Sequence, residues 1–279
     1  MADITREELQ RRVKRRESLK DTDLSGLNLK GLLLEGGDFR KCKLGESDFS
    51  GAFLDFARFE GCNLSGCQFR NASMREVAIY GCDLSKADFQ DSVMNEISLH
   101  QCTLEQTNFS GCRMEQAILI ETKGFLCNFA SALLNRADFA SAVLHACDFT
   151  ACDALEAKAH EADLRGSMFV GAKLNKAEMS ETRLDFCDFT VASLKEANLS
   201  NANLLGATLN NGWMELTNFS SATLAFVRAL KANFKDSNLK NSILVEGDFS
   251  GSEFDGAAMV GAVEKNAKWD DANLEGAVR

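Results

Sequence analysis

The sequence predicts an all-β solenoid: a parallel β-helix of four-sided coils, about thirteen of them, entered by a short N-terminal helix. Three observations predict it. Large apolar residues recur every five positions, small residues precede them by two, and equal residue types return every twenty. A period of five suits neither a helix, at about 3.6, nor a strand, at about 2.

The large residues come first. From Leu24 to Leu274 there are 51 positions whose numbers end in 4 or 9, and all but five are Leu, Phe, Met, Ile or Trp. The exceptions are Gly124, Ala154, Ala159, Ala229 and Glu264. Two residues before each centre lies the small class, where only Leu27, Leu32 and Ile97 exceed Val in size. The phase never slips, so no insertion or loop interrupts the run. Proline is absent throughout, which leaves every backbone N–H free to join a continuous ladder.

The coil follows from the longer period. Centres 24, 44, 64 and onward to 244 are Leu except Gly124, and those from Phe49 to Phe189 in steps of twenty are Phe throughout. Centres 34 to 134 read Leu or Met, and 39 to 139 mix Phe, Ile and Leu. Four pentapeptides per coil, with like stacked on like, account for this. Coils spaced by about 4.7–4.9 Å then build a rod roughly 60 Å long.

All ten cysteines fall in the small class: 42, 62, 67, 82, 102, 112, 127, 147, 152 and 187. A position shared with Ala brings no converging ligands to a metal, and Cys there is read as a small buried hydrophobe. Cys42, Cys62, Cys82 and Cys102 are spaced by twenty and are expected to stack. No P-loop, GxGxxG, HExxH or CxxC occurs, and His100, His145 and His160 are read as isolated, with no serine or acid in a triad. A filled, loop-free rod is expected to hold no pocket. Neither enzyme activity nor any cofactor or metal is expected.

Net charge is −10, and the first twenty residues carry seven basic and four acidic side chains, leaving −13 for the rest. An acidic body argues against direct binding of nucleic acid, which needs cations to displace counterions. It suits a basic partner. No apolar run is long enough for a membrane span. The densely charged start, MADITREELQRRVKRRESLK, lacks the apolar region of a secretory signal, so a cytoplasmic location is expected.

The blocks ADFQD (87–91), ANLSN (197–201), ANLLG (202–206) and ANLEG (272–276) match an A(D/N)LXX pattern, and the chain resembles the pentapeptide-repeat family over residues 22–276. The resemblance implies a right-handed quadrilateral β-helix with the centre and the small residue pointing inward. It brings no catalytic residues, and it implies a binding surface. In part of the family, dimers form through the C-terminal end.

Three parts of the chain are expected: a helical cap over 1–21, one uninterrupted β-helix over 22–276, and a tail at 277–279. Thr5-Arg6-Glu7-Glu8 has the form of a capping box, and Leu9 and Val13 follow at helical spacing, so residues 5–17 are read as a helix over the first coil. The other end has no such helix, and Trp269 and Leu274 of the last coil are the candidate dimer end. The small centres predict a distortion or bend near 122–126 or 152–160.

Outward positions decide partners. Beside the Phe column, the residues before each centre are mostly Asp or Asn, which bond to nearby backbone in turns. The third side differs: Leu33, Phe53, Val93, Leu133 and Trp213 stand where the family places Asp or Asn, with acids such as Glu76 and Glu96 beside them. Apolar residues ringed by acids mark a candidate partner site. The expected function is a non-enzymatic protein-binding scaffold of a bacterium. Residues 24–39 resemble the repeat portions of type VI secretion adaptors, which implies a secretion or effector protein as partner. The alternative is an acidic DNA mimic that occupies DNA gyrase or topoisomerase.

Overall fold

The computed structural model describes residues 2–279. It divides into two compact units, one running to Asp138 and one from Phe139 to Arg279. Each unit is a parallel β-solenoid with a strict twenty-residue register. In the first, Ser18 pairs with Asp38, Asp38 with Arg58, and so on to Asp138, six steps in all. In the second, Lys158 pairs with Glu178 and the ladder runs to Val278, again six steps. Each unit therefore makes six twenty-residue steps, where about thirteen coils in all were expected. The boundary lies between the small centres Gly124 and Ala154, and the unbroken period of five carried no sign of it.

Each side of a coil is three residues long, so strands are short. In the first unit β1 (Ser18–Lys20), β2 (Asp38–Arg40), β3 (Arg58–Glu60), β4 (Ala78–Tyr80) and β5 (Ser98–His100) form one parallel sheet in that order. The backbone bonding is regular. Phe49 N donates to Gln68 O of the next coil (2.6 Å), and Gln68 N donates to Ser47 O of the previous one (2.9 Å). Across many corners a third bond closes the turn, as from Ala52 N to Phe49 O (2.9 Å), while at others the amide bonds a side chain of the next coil, as from Cys62 N to Cys82 Sγ (3.2 Å).

The last residue of each corner is left-handed, as a type II turn requires. Asn71, Asp91, Asn201 and Asp236 take φ of 55–58° there, residue types that tolerate it. Phe56, Phe186 and Val191 take it as well, with φ of 62°, 60° and 52°. For such side chains the left-handed backbone costs about 1–2 kcal/mol.

Centres and small residues fill the interior, and the Phe column forms a stack. Phe49, Phe69, Phe89, Phe109 and Phe129 lie 4.7–5.1 Å apart, within 12° of parallel. All ten cysteines are buried and free. They pack as expected, but not only as hydrophobes. Cys67 Sγ donates to Leu44 O (3.0 Å), Cys112 Sγ to Phe89 O (2.8 Å) and Cys127 Sγ to Leu104 O (2.8 Å). Ser47, Thr107 and Thr217 do the same with their hydroxyls at 2.7–2.9 Å. The small position thus accommodates a short side chain with a donor, because a corner carbonyl one coil back has a spare lone pair.

At the start, α1 (Arg6–Lys14) is capped by Thr5, whose Oγ1 accepts from Glu8 N (3.2 Å). Leu9 and Val13 are buried, and Asp3 N donates to Asp23 O (2.7 Å), covering the first edge. The helix is shorter than the expected 5–17, and the coils begin at β1, ahead of residue 22.

The small centres do not break the ladder within either unit. Lys123 N still donates to Cys102 O (3.0 Å), and Ala154 N to Lys173 O (2.8 Å). Phe125 and Leu126 remain exposed instead of filling the place beside Gly124. Backbone bonds hold the coil whatever the centre's size, so an undersized centre costs packing without costing register.

Candidate binding surfaces

The third side of the first unit carries one ladder of outward residues: Leu33, Phe53, Ser73, Val93, Arg113 and Leu133 pair in succession. Leu33 and Phe53 are exposed on neighbouring coils. Ser73 and Arg113 interrupt the row, and Val93 and Leu133 are only partly exposed. The structure therefore joins Leu33 to Phe53 and separates both from Val93 and Leu133.

Phe56, which the sequence reading missed, extends the pair. It sits at the corner of Phe53's own coil and is 61% exposed. Arg16, Glu35, Gly36 and Phe56 line a cleft of about 430 Å³. Trp213 lies in the second unit between Ser193 and Asn233, with Leu216 exposed at the following corner. Phe53/Phe56 and Trp213/Leu216 thus hold the same two positions of their coils. Phe186 and Phe226 are also exposed at corners of the second unit, with Gly206 between them. A Cβ at Gly206 would come within 2.8 Å of the Phe186 ring. Scanning the corner residues for aromatics, not only the residue before each centre, reveals all of these.

The acids differ in availability. Asp55 is held by Ser73 Oγ (2.7 Å), Arg75 N (2.9 Å) and the Arg75 guanidinium (3.1 Å). Glu76 and Glu96 occupy one corner on successive coils, exposed and with no cation in ion-pair range among the described residues. Beside the Phe column, the Asx side chains turn to their own backbone. Asp48 Oδ1 accepts from Ser50 N (3.0 Å), Asp188 Oδ1 from Thr190 N (2.9 Å) and Asn128 Oδ1 from Ala130 N (2.9 Å). Lys30 and Lys268 further pair with Asp48 (3.0 Å) and Asp248 (3.5 Å).

The histidines are not isolated. His145 Nε2 lies 3.1 Å from Asp163 Oδ1, which also accepts from Arg165 Nε (2.7 Å), and Arg183 reaches Oδ2 (3.3 Å). Burial raises the Asp163 carboxyl, but Arg165 and His145 hold it below its ordinary range. His160 Nδ1 lies 2.9 Å from Ser180 Oγ, and its Nε2 lies 3.2 Å from Glu161 Oε1. The expectation that the histidines stand isolated is thereby corrected: the twenty-residue stack brings together residues that sequence spacing keeps apart. This corner is open, with His160 and Glu161 half exposed, and offers no enclosed place for a substrate.

Surface clefts do occur, against expectation, because corner glycines and the N-terminal segment leave gaps between side chains. One of about 600 Å³ lies between residues 2–7 and 25–28, and one of about 380 Å³ lies along the corner that bears Tyr80. No group of three or more metal-ligating side chains converges among the described residues. Burial pushes the Cys67, Cys112, Cys152 and Cys187 thiols up to about 12, far from the thiolate that a nucleophile or ligand needs. Among the described residues no helix is long and apolar enough to cross a membrane.

Trp269 and Leu274 lie in the last coil, partly exposed. Trp269 stacks on Phe249 (4.8 Å), and the Arg279 guanidinium lies 5.3 Å from its ring centre. Arg279 also pairs with Glu264 (3.6 Å), the charged residue at an inward centre.

No curated protein matches the chain. Among solved structures it is similar to trypsin-treated QnrB1, a plasmid-mediated fluoroquinolone resistance protein, at 24% identity over 70% of this chain and 92% of that one, with a TM-score of 0.33. It is also similar to HetL, a pentapeptide repeat protein involved in heterocyst differentiation regulation from the cyanobacterium Nostoc sp., at 22% identity over 98% and 96%, with a TM-score of 0.27. The periplasmic alginate epimerase AlgG matches at 10% identity over 90% and 77%, with a TM-score of 0.32. Two family models match in sequence: a pentapeptide repeat region at residues 29–99, and pentapeptide repeats in eight copies at 97–123, 147–185, 182–220 and 232–262. With the five-residue centres and four-sided coils, these matches show that the chain belongs to the pentapeptide-repeat family.

Proposed function

We propose that the protein is a non-enzymatic scaffold that binds a protein partner through the third side of its first unit. One observation carries this reading. Phe56 is 61% exposed at a left-handed corner, and it stands on the same coil as exposed Phe53 beside Leu33. Large apolar side chains exposed together on one face are better explained by what they touch in a complex. Glu76 and Glu96, farther along the same corner, supply acids that favour a partner with basic residues at its rim. In its finer form, the partner is a secretion or effector protein of a bacterial type VI system, as the resemblance of residues 24–39 implies.

The net charge of −10 supports the second reading, an acidic mimic of DNA that binds gyrase or topoisomerase. The acids beside the Phe column count against it, since their oxygens are engaged by backbone and by lysines.

The test is capture from source-cell lysate with the native chain and with the variant Leu33→Arg, Phe53→Arg, Phe56→Gly. The glycine relieves the corner, so loss of fold is not expected. A partner lost with the variant and retained at raised salt supports the apolar surface. Equal recovery by both proteins sinks it, and equal recovery of gyrase or topoisomerase selects the mimic.

A further inference from the structure

A different corner of the first unit carries a second site, independent of the third side. We propose that the cleft beside Tyr80 binds a nucleoside phosphate, with its base on the tyrosine ring and its phosphates on Lys20, Arg40 and Lys41.

The corner stacks Lys20, Arg40-Lys41, Glu60-Gly61, Tyr80-Gly81 and His100 on successive coils. The cleft between them measures about 380 Å³, within the usual range for small ligands of about 300–1,000 Å³. At one end Tyr80 is 48% exposed, and its ring stacks on His100 with centres 5.6 Å apart and planes 17° from parallel. One face of the tyrosine is thus supported. A planar base is the ligand group that such an aromatic ledge takes.

Two glycines open the cleft. Both are left-handed, with φ of 61° at Gly61 and 59° at Gly81. An added Cβ at Gly81 would meet nothing within 4 Å, and one at Gly61 would meet only Lys41 Cγ at 3.6 Å. The Lys41 stem therefore lies across bare backbone, along the cleft.

The other end is basic in a chain of net charge −10. Asp38 engages Arg40 through its Nε (3.0 Å) and terminal nitrogen (3.0 Å), and Arg58 holds the Glu60 carboxylate (2.8 Å). Lys20 and Lys41 have no acid in ion-pair range among the described residues. Two unneutralised ammonium groups suit phosphate oxygens. At the coil spacing, Lys41 stands about 10 Å and Lys20 about 14 Å from Tyr80 along the stack, the reach of a nucleoside carrying several phosphates.

Tyr80 is the chain's only tyrosine, so its ring reports on the cleft directly. Ring-labelled protein is titrated with ATP, adenosine, pyrophosphate and a short oligonucleotide, and the tyrosine resonance is followed by NMR. The expected result is a saturable shift with ATP, with adenosine and pyrophosphate each at least about tenfold weaker. The double variant Lys20→Glu, Lys41→Glu should weaken ATP binding by about tenfold or more while its free spectrum stays native. Tyr80→Leu, followed by calorimetry, should lose the preference for ATP over pyrophosphate. No saturable shift at millimolar ATP overturns the proposal. So do pyrophosphate binding as tightly as ATP, binding only of the oligonucleotide, and unchanged affinity in the double lysine variant.

Discussion

The aromatic interior of the first unit and the last coils of the second reach the same end by different routes. In the first, Phe49 to Phe129 stack in a single column. In the second, Phe149, Phe169 and Phe189 continue that pattern at 4.8 Å, and then Leu209 and Ala229 replace phenylalanine. The lost ring reappears one side further on. Phe234 is fully buried, stacks on Phe254 (4.6 Å) and meets Phe249 edge-on (6.0 Å). What a coil conserves is the volume inside it, and the side from which a ring enters is negotiable. The coil with Ala154 and Ala159 lacks this compensation. Beside it Phe139 and Phe149 meet edge-on at 5.9 Å, and Ala159, Met179 and Leu199 follow Phe139 in its own column before the next ring, Phe219.

The largest test removes a ring from each region. Phe89→Ala should cost about 3–5 kcal/mol in denaturant unfolding. Phe234→Ala should cost at least as much, since it leaves two small centres in one coil beside Ala229. A markedly smaller loss at Phe234 would break the volume argument.

A swap sharpens it. Ala229→Phe alone should overpack the coil and cost about 1–3 kcal/mol. Combined with Phe234→Leu, it should recover much of the loss, a coupling readable in a double-mutant cycle. Simple addition of the two effects would mean that the columns, not the coils, set the packing.

The small positions allow a finer comparison. In the second unit Ser252 Oγ donates to Ala229 O and accepts from Ala232 N (2.9 Å), so Ser252→Ala orphans two buried groups. In the first, Cys112 Sγ donates to Phe89 O, which still accepts from Ser92 N (3.0 Å). Ser252→Ala should cost about 1–3 kcal/mol, and Cys112→Ala less, by thermal unfolding.

The smallest effect is electrostatic. Asp163 has its carboxyl lowered in the folded state, so it stabilises the second unit above its unfolded pKa, and that contribution disappears as pH falls through the folded pKa. Asp163→Asn should therefore lower stability near neutral pH and flatten the acid limb of the stability curve, with no added effect at alkaline pH. An acid limb identical to the native one would show that the ion cluster contributes nothing.

Inward positions were legible in sequence because every coil imposes the same demand on them. A centre such as Leu44 or Phe89 must fill one volume, and a residue such as Cys67 must be small, so a local period reports a global structure. The cysteines were read correctly as packing, and their hydrogen bonds were missed because the accepting carbonyl lies 23 residues away. Leu33 and Phe53 were singled out since they break the Asx pattern. Phe56 and Phe186 were not, because corner residues follow no strict type and reveal themselves only through exposure and backbone angle.

The sequence by itself determined the fold class, the coil of four pentapeptides and the inward residues. These depend on repetition, and each repeat restates the same packing and hydrogen-bonding constraint. Only the tertiary structure decided that the chain forms two compact units, that Tyr80 stacks on His100 above a basic cleft, that His160 meets Ser180, and that Phe56 stands exposed at a strained corner. Those depend on side chains twenty residues apart brought about one strand spacing apart, and on outward surfaces that the repeat leaves free to vary.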